Sequence, residues 1–529
     1  MSKKTVIILF LIFFLSRFFF INSNAVFFDS GEYLNLFANS NYLLAIALGH
    51  FPPHEGYILL FWPIYQFAQL LHANGALAVI LFQIFFSFLT LFFFYKFIQY
   101  IADEKTALYA SIIASLTPLF WIINVTVMME NAYAFFFFFS LYLLTVYLKK
   151  TKKGYLLHES LFFLILAVLT QPIIIFWTPL YLCIVFIKKK KMLKKIFVFF
   201  VIYVVVLLSL NILFIATILR LAPLTVFHDL YLSKGGEVAE LNFTLKGFLV
   251  AMRNFIVPLL QNNTILITLL TLISLIISFR TNKKIFFIGL FFILPAFYAN
   301  QWWDSLLNGR HALITGFGIA FLTAYLLKKI QKGNIYFFLL ITYLLFVSLP
   351  ALNLLKKPIP YLEDAQFATT LPKNSLFIES HFARPQVQAT VTGKAFYVNE
   401  PGYSTKLLTR EIDIYLAKKK PIFITSAAIS EPYGLYSGPY LHNVTLSYKN
   451  PFQLTPILVN YKVVQYKIIN VEDNLLIYKI IAKKKSSYLP VKNMKNSYRR
   501  LDYADPFWQI TWWLETHFSY INALGRTNS

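Results

Sequence analysis

The stretch from Val26 to Trp62, VFFDSGEYLNLFANSNYLLAIALGHFPPHEGYILLFW, carries Asp29, Glu32, Glu55, His50 and His54 but no Lys or Arg, in a chain of formal charge +25. Asp29 and Glu32 stand three apart in DSGEY, which puts both on one face of a helix starting near Ser30. A carboxylate placed there can accept the proton of an attacking hydroxyl as a general base. It can equally cap the helix, with Glu32 complementing the dipole from the first turn. His50, His54 and Glu55 follow in GHFPPHEGY, where Pro52 and Pro53 stiffen the turn. Asp29 and Glu32 could hold a divalent metal, and the nearby histidines are of the right type, but the spacing matches no standard ligand signature.

Two more clusters carry chemistry. Glu130 follows the apolar stretch SLTPLFWIINVTVMM. An ionisable residue at such a boundary is a candidate for function, although a Glu can also simply reach for water there. NQWWDSLLNGRH (300–311) contains Asp304, Arg310 and His311. The planar fork of Arg310 suits a phosphate, with Asp304 as its candidate ion-pair partner. Trp302 and Trp303 read as interfacial anchors. The chain contains neither a P-loop nor a Rossmann glycine fingerprint.

The elements that must position these residues cross a membrane. Of 529 residues, 58% are hydrophobic and 13% charged, and Phe occurs 57 times. A soluble domain carries about a quarter charged residues, and a helix crosses the ~30 Å of hydrocarbon with about 20 apolar residues. Lys and Arg gather in short blocks between apolar runs, as in cytoplasmic loops, so the basic balance implies no nucleic-acid partner. The lone cysteine, Cys183, lies in an apolar run and excludes an intramolecular disulfide. Thr5 to Ile21 lacks a convincing cleavage site and reads as an uncleaved first span.

Eleven spans are expected, at about 5–21, 77–97, 107–127, 131–148, 158–171, 172–187, 195–218, 263–279, 285–300, 311–327 and 335–354. The blocks KKTKK (149–153), KKKKMLKK (188–195), RTNKK (280–284) and KKIQK (328–332) then all fall inside. Counting 57–72 as a further span would put all four blocks outside, so this run is expected to lie along the outer surface or to dip in and return. Segment 158–187 must be a hairpin turning at Thr170-Gln171-Pro172. Every cluster named above then lies on the extracytoplasmic face.

The texture changes at Lys356. SLFIE (375–379), AFYVN (395–399), PIFITS (421–426) and LLIYKI (475–480) read as strands, with a helix over 404–419. The expected organisation is a mainly α, polytopic domain over 1–355, an extracytoplasmic α/β domain over 356–482 and a basic, aromatic tail over 483–529 with an amphipathic helix at 506–526.

DSGEY, GHFPPHEGY, TPLFW…ENAYAFFFF and the late GRHALI together resemble the GT-C superfamily of polytopic glycosyltransferases. They are most similar to the branch akin to protein O-mannosyltransferases, which carries D-S-G-E-[FY] and G-H-P-P-G-[YT]-P-L. Here Phe51 is inserted after His50, and His54-Glu55 stand before Gly56. The resemblance, covering residues 1–355, implies that Asp29 is the catalytic base and that the donor is a polyprenyl-phosphate-linked sugar. The acceptor would be a hydroxyl on a protein, lipid or glycan. Glu32 and Glu130 would assist, Arg310 would hold the donor phosphate, and His50, His54, Glu55, Asp304 and His311 would line the substrates. A transporter or flippase for lipid-linked glycans is the alternative; it needs charge mid-span along a path, and Arg17 is the one clear instance. A third reading is a structural membrane protein whose outer domain binds a partner.

Overall fold

The computed structural model describes residues 3–24, 28–48, 54–149, 153–228, 263–301, 310, 313–356, 360–380, 384–388, 391, 393–398, 404–429, 454–470 and 475–484. His50, Asp304, His311 and the tail helix expected at 506–526 lie outside these residues.

The helices run in chain order as α1 (Lys3–Phe18), α2 (Phe28–Asn39), α3 (Tyr42–Leu48), α4 (Glu55–Leu70), α5 (Gly75–Ile101), α6 (Glu104–Leu116), α7 (Pro118–Asn124) and α8 (Glu130–Lys149). They continue as α9 (Tyr155–Thr170), α10 (Thr178–Lys189), α11 (Leu193–Leu219), α12 (Pro223–Phe227), α13 (Ile265–Thr281), α14 (Lys283–Gln301), α15 (Leu313–Lys329) and α16 (Gly333–Leu355). Among the described residues, four helical stretches are long and apolar enough to cross a membrane, or five if the bent pair α6–α7 is one span. The eleven expected are not all found in this way: the stretch Pro172–Leu219 covers two of them, and other apolar helices are short, α9 and α13 holding 16 and 17 residues.

The expected span 107–127 is broken. Its two halves, α6 and α7, meet at 66°. Pro118 opens α7 and has no N–H with which to continue the ladder of α6, which ends at Leu116. The chain then runs without helix from Val125 to Met129 before Glu130 starts α8. These residues are buried, and buried backbone outside a helix needs partners within the protein. Here Asn22 N–H donates to Val125 O at 2.9 Å, Gln83 Nε2 to Met128 O at 2.8 Å and Ser30 Oγ to Val127 O at 2.7 Å.

Phenylalanine fills the bundle core. Phe94, Phe138 and Phe317 from α5, α8 and α15 lie with ring centroids 4.6 to 5.1 Å apart, in the tilted and edge-on arrangements that aromatic pairs favour. Small residues let α14 and α15 approach closely: a Cβ at Gly318 would overlap Phe292, and one at Gly289 would overlap Leu322.

A small sheet follows the last long helix. The elements are α17 (Pro360–Ala368), β1 (Leu376–Ser380), α18 (Arg384–Val387), β2 (Lys394–Val398), α19 (Thr405–Ala417), β3 (Ile422–Thr425), α20 (Ser426–Ile429), α21 (Leu454–Leu458), β4 (Tyr461–Asn470) and β5 (Leu475–Lys483). The strand order is β2-β1-β3-β5-β4; β1 is parallel to β2 and β3, and β5 is antiparallel to β3 and β4. Leu376, Ile378, Ile422 and Ile424 face Leu408 and Ile412 of α19. The alternate residues Phe377, Phe423 and Ile477 face Ala365 and Phe367 of α17. Cover on both faces makes β1 and β3 read as continuous apolar runs. β4 is not among the strands read from the sequence: its Tyr, Val and Ile favour a strand, but the adjacent pairs Val463-Val464 and Ile468-Ile469 break the alternation, and the register to β5 shifts along it.

Candidate active site

Three residues distant in sequence meet in one buried cluster. Asp29 is the second residue of α2, Glu130 is the first of α8, and Arg310 lies three residues before α15. The Arg310 guanidinium forms an ion pair with Asp29 through Nη2 and another with Glu130 through Nε, at 3.4 Å. Their relative exposures are 3%, 0% and 5% for Asp29, Glu130 and Arg310. Two carboxylates against one guanidinium leave a formal charge of −1. The N-terminal ends of α2 and α8 offset part of that charge, since helix N-termini favour anions.

The surroundings hold this cluster in place. Tyr133 hydroxyl donates to the Arg310 carbonyl at 3.1 Å. Tyr33, one turn beyond Asp29, donates to Met129 Sδ at 3.1 Å and packs on Tyr57 of α4 at 4.6 Å. Gln83 supports the Met128 carbonyl beside Glu130 and receives the Tyr57 hydroxyl at 3.3 Å. Asn131, buried next to Glu130, accepts from Ser87 Oγ at 2.6 Å and donates to Ile123 O at 2.9 Å. The pair Asp29 and Arg310 is therefore built on supports from α4, α5 and the α7–α8 connection.

The other expected site residues divide. Glu32 does not join Asp29; it accepts from Arg384 Nη2 of α18 at 2.9 Å, so the i, i+3 spacing here spreads the two carboxylates to different partners. Arg310 pairs with Asp29 and Glu130, whereas its expected partner Asp304 lies outside the described residues. His54 is buried, with Nδ1 2.7 Å from the Thr170 carbonyl and its ring 6.0 Å from Tyr33. Glu55 is also buried and accepts from Asn211 Nδ2 of α11 at 2.8 Å. A Cβ at Gly56 would overlap Thr170, so glycine is what lets the start of α4 sit against the end of α9.

The guanidinium of Arg310 occupies the place between two carboxylates that a cation would take. Among the described residues no three His, Cys, Asp or Glu converge as a metal site. Arg17 is packed rather than lining a path: it donates to the Ser115 carbonyl and, at 2.9 Å, to Ser16 Oγ, and it lies 3.9 Å from the Phe13 ring and 4.5 Å from that of Trp121. This is a buried cation held by a carbonyl, a hydroxyl and two ring faces.

Arg384, Gln83 and Asn131 escaped the sequence reading. Gln83 and Asn131 are the polar interruptions of apolar runs, which was the available signal. Arg384 gave none, since nothing local ties residue 384 to residue 32.

No protein-family model matches the chain, and no curated protein matches it in sequence. Among solved structures, ArnT from Cupriavidus metallidurans bound to undecaprenyl phosphate matches with a TM-score of 0.50 and 9% identity, covering 90% of this chain and 98% of that one. This chain resembles ArnT in fold. ArnT in the apo state matches with a TM-score of 0.48 and 10% identity over the same shares of both chains. The likeness to ArnT is one of fold, and the long apolar helices mark a membrane protein.

Proposed function

We propose that this chain transfers a sugar from a polyprenyl-phosphate carrier to an acceptor hydroxyl, with inversion, on the extracytoplasmic face. The observation that carries this reading is the buried Asp29–Arg310–Glu130 cluster in a chain with the fold of ArnT, which was solved with undecaprenyl phosphate bound. The acceptor oxygen attacks the anomeric carbon, the carbon–oxygen bond to the carrier phosphate breaks, and the electron pair leaves with the phosphate. The hydroxyl proton passes to Asp29 as general base. Arg310 faces the departing phosphate, where preorganised positive charge lowers the barrier most. As the phosphate draws on the guanidinium, Asp29 is released from its ion pair and becomes the stronger base. Glu130 keeps Arg310 oriented throughout.

DSGEY resembles the motif of the O-mannosyltransferase-like branch of the GT-C superfamily, so a hexosyl donor is the first to try. The direct experiment incubates purified protein with a panel of labelled polyprenyl-phosphate sugars and extracts the products. Transfer from at least one donor, lost in Arg310→Ala, is expected. Movement of intact lipid-linked glycan across a vesicle bilayer, without cleavage of any donor, would instead make the protein a transporter.

A further inference from the structure

Glu130 and Lys149 are the two ends of α8, a helix of 20 residues, so Lys149 lies about 30 Å from the acidic cluster. At that far end, lysines from three helices converge. Lys149 and Lys188 both place Nζ over the ring of Tyr100, at 4.8 and 4.7 Å. Lys284, the second residue of α14, lies close enough to Lys188 for the two charges to repel, as Lys149 does from the other side of the pair. Among the described residues, no ion pair to a carboxylate engages any of the three. An anion placed among α8, α10 and α14 would relieve the repulsion that Lys188 meets from Lys149 and Lys284.

An apolar groove begins beside them. It has a volume of about 650 Å³ and is lined by Leu182, Phe186, Phe197, Phe287 and Phe291, with Lys194 among its lining residues. Ile187 of the groove precedes Lys188, and Phe287 stands one turn from Lys284, so the lysines sit at one end of it. Lys190 Nζ lies 5.3 Å from the Phe186 ring and adds charge to the same end. Phe186 and Phe197 are half exposed, as lipid-facing side chains are.

We propose that Lys149, Lys188 and Lys284 bind the headgroup of an anionic glycerophospholipid whose acyl chain lies in this groove between α10, α11 and α14. Charge complementarity selects the occupant: a net-negative headgroup neutralises the cluster, a zwitterionic one does not, and the groove needs an acyl chain that free phosphate lacks. Basic pockets between membrane helices recognise acidic headgroups by this means. The site stands apart from the transfer reaction at the other end of α8, and its existence does not depend on that reading.

Native mass spectrometry of detergent-purified, delipidated protein titrated with phosphatidylglycerol tests it. One tightly held phosphatidylglycerol is expected, with phosphatidylcholine bound much more weakly. Each lysine near a headgroup contributes about 1 kcal/mol, or roughly fivefold, so Lys149→Gln/Lys188→Gln/Lys284→Gln should weaken retention about 100-fold. Lys329→Gln/Lys332→Gln, at another basic loop, should leave it unchanged. Leu182→Trp, which fills the groove without altering charge, should also weaken it. Equal retention of phosphatidylcholine, equal loss from both lysine sets, or displacement of the lipid by inorganic phosphate would overturn the proposal. The lysine variants change exposed or half-buried side chains and keep the test valid should Leu182→Trp fail to fold.

Discussion

Replacing Asp29 by Asn separates a catalytic carboxylate from a structural one. The substitution keeps the size of the side chain and removes its charge and its ability to hold a proton. In the cluster, Arg310 pairs with both Asp29 and Glu130, so the variant still has one carboxylate for one guanidinium. The formal charge moves from −1 to zero, and no buried charge is stranded. The stability cost should therefore fall below the ~3–5 kcal/mol typical when a buried ion loses its sole partner. Losing one charge-assisted hydrogen bond costs about 1.5–3 kcal/mol. Arg310→Met is the contrasting variant: it leaves two buried carboxylates without their cation and should cost the full ~3–5 kcal/mol. If Asp29 is the base, turnover in Asp29→Asn falls ~10²–10⁴-fold, equivalent to about 3–5 kcal/mol on the barrier at 1.36 kcal/mol per decade. The assay is transfer of labelled sugar by protein reconstituted in nanodiscs, with donor binding and thermal unfolding measured on the same preparation. Wild-type turnover in a folded, donor-binding Asp29→Asn would refute the assignment and move the base to Glu130. A rate loss that merely tracks the fraction of folded protein would refute it too.

The Arg384–Glu32 pair ties the small sheet domain to α2, and both partners are about a quarter exposed, so Arg384→Ala should cost at most ~1 kcal/mol in unfolding. Its effect on transfer should appear in KM for the acceptor, with the charge swap Glu32→Arg/Arg384→Glu restoring part of it; an unchanged KM would leave the pair without a role in the reaction. Asp364 of α17 and Glu379 of β1 are buried against one another. Burial first, and then the neighbouring charge of Glu379, holds the Asp364 carboxyl far above its usual range; burial also pushes Glu379 up, to about 7, against the opposing hydrogen bonds from Thr425 and Ser380. The folded state thus binds more protons than the unfolded one, whose carboxyls titrate near 4. The stabilisation is complete below that value and is lost as pH rises through about 7. Thermal unfolding should show a sheet domain more stable at about pH 5 than at about pH 8, and Asp364→Asn should flatten the profile; an unchanged slope would contradict the linkage. For topology, cysteine at the exposed Gln388 in a Cys183→Ala background should react with an impermeant thiol reagent from outside, whereas cysteines at the exposed Lys153 and Lys332 should not. Labelling of the last two from outside would invert the orientation.

Composition and pattern alone determine much of this protein. Long apolar runs separated by lysine blocks point to membrane helices, because a bilayer accepts backbone solely in hydrogen-bonded form and a helix closes its own bonds within one run. The alternation of Phe377 and Phe423 with Ile378 and Ile424 in short runs bounded by polar turns marks β1 and β3 without any tertiary information. Asp29, Glu130 and Arg310 each stood out singly, since a charge in so apolar a chain is costly and needs a reason. What tertiary structure decided is the company they keep. Residues 29, 130 and 310 meet because α2, α8 and the start of α15 converge, and no local pattern encodes a contact across 180 residues. The same holds for Glu32, whose spacing suggested a partner in Asp29 but whose side chain reaches Arg384 instead. Helical periodicity places residues on a face; only packing decides which neighbour that face meets.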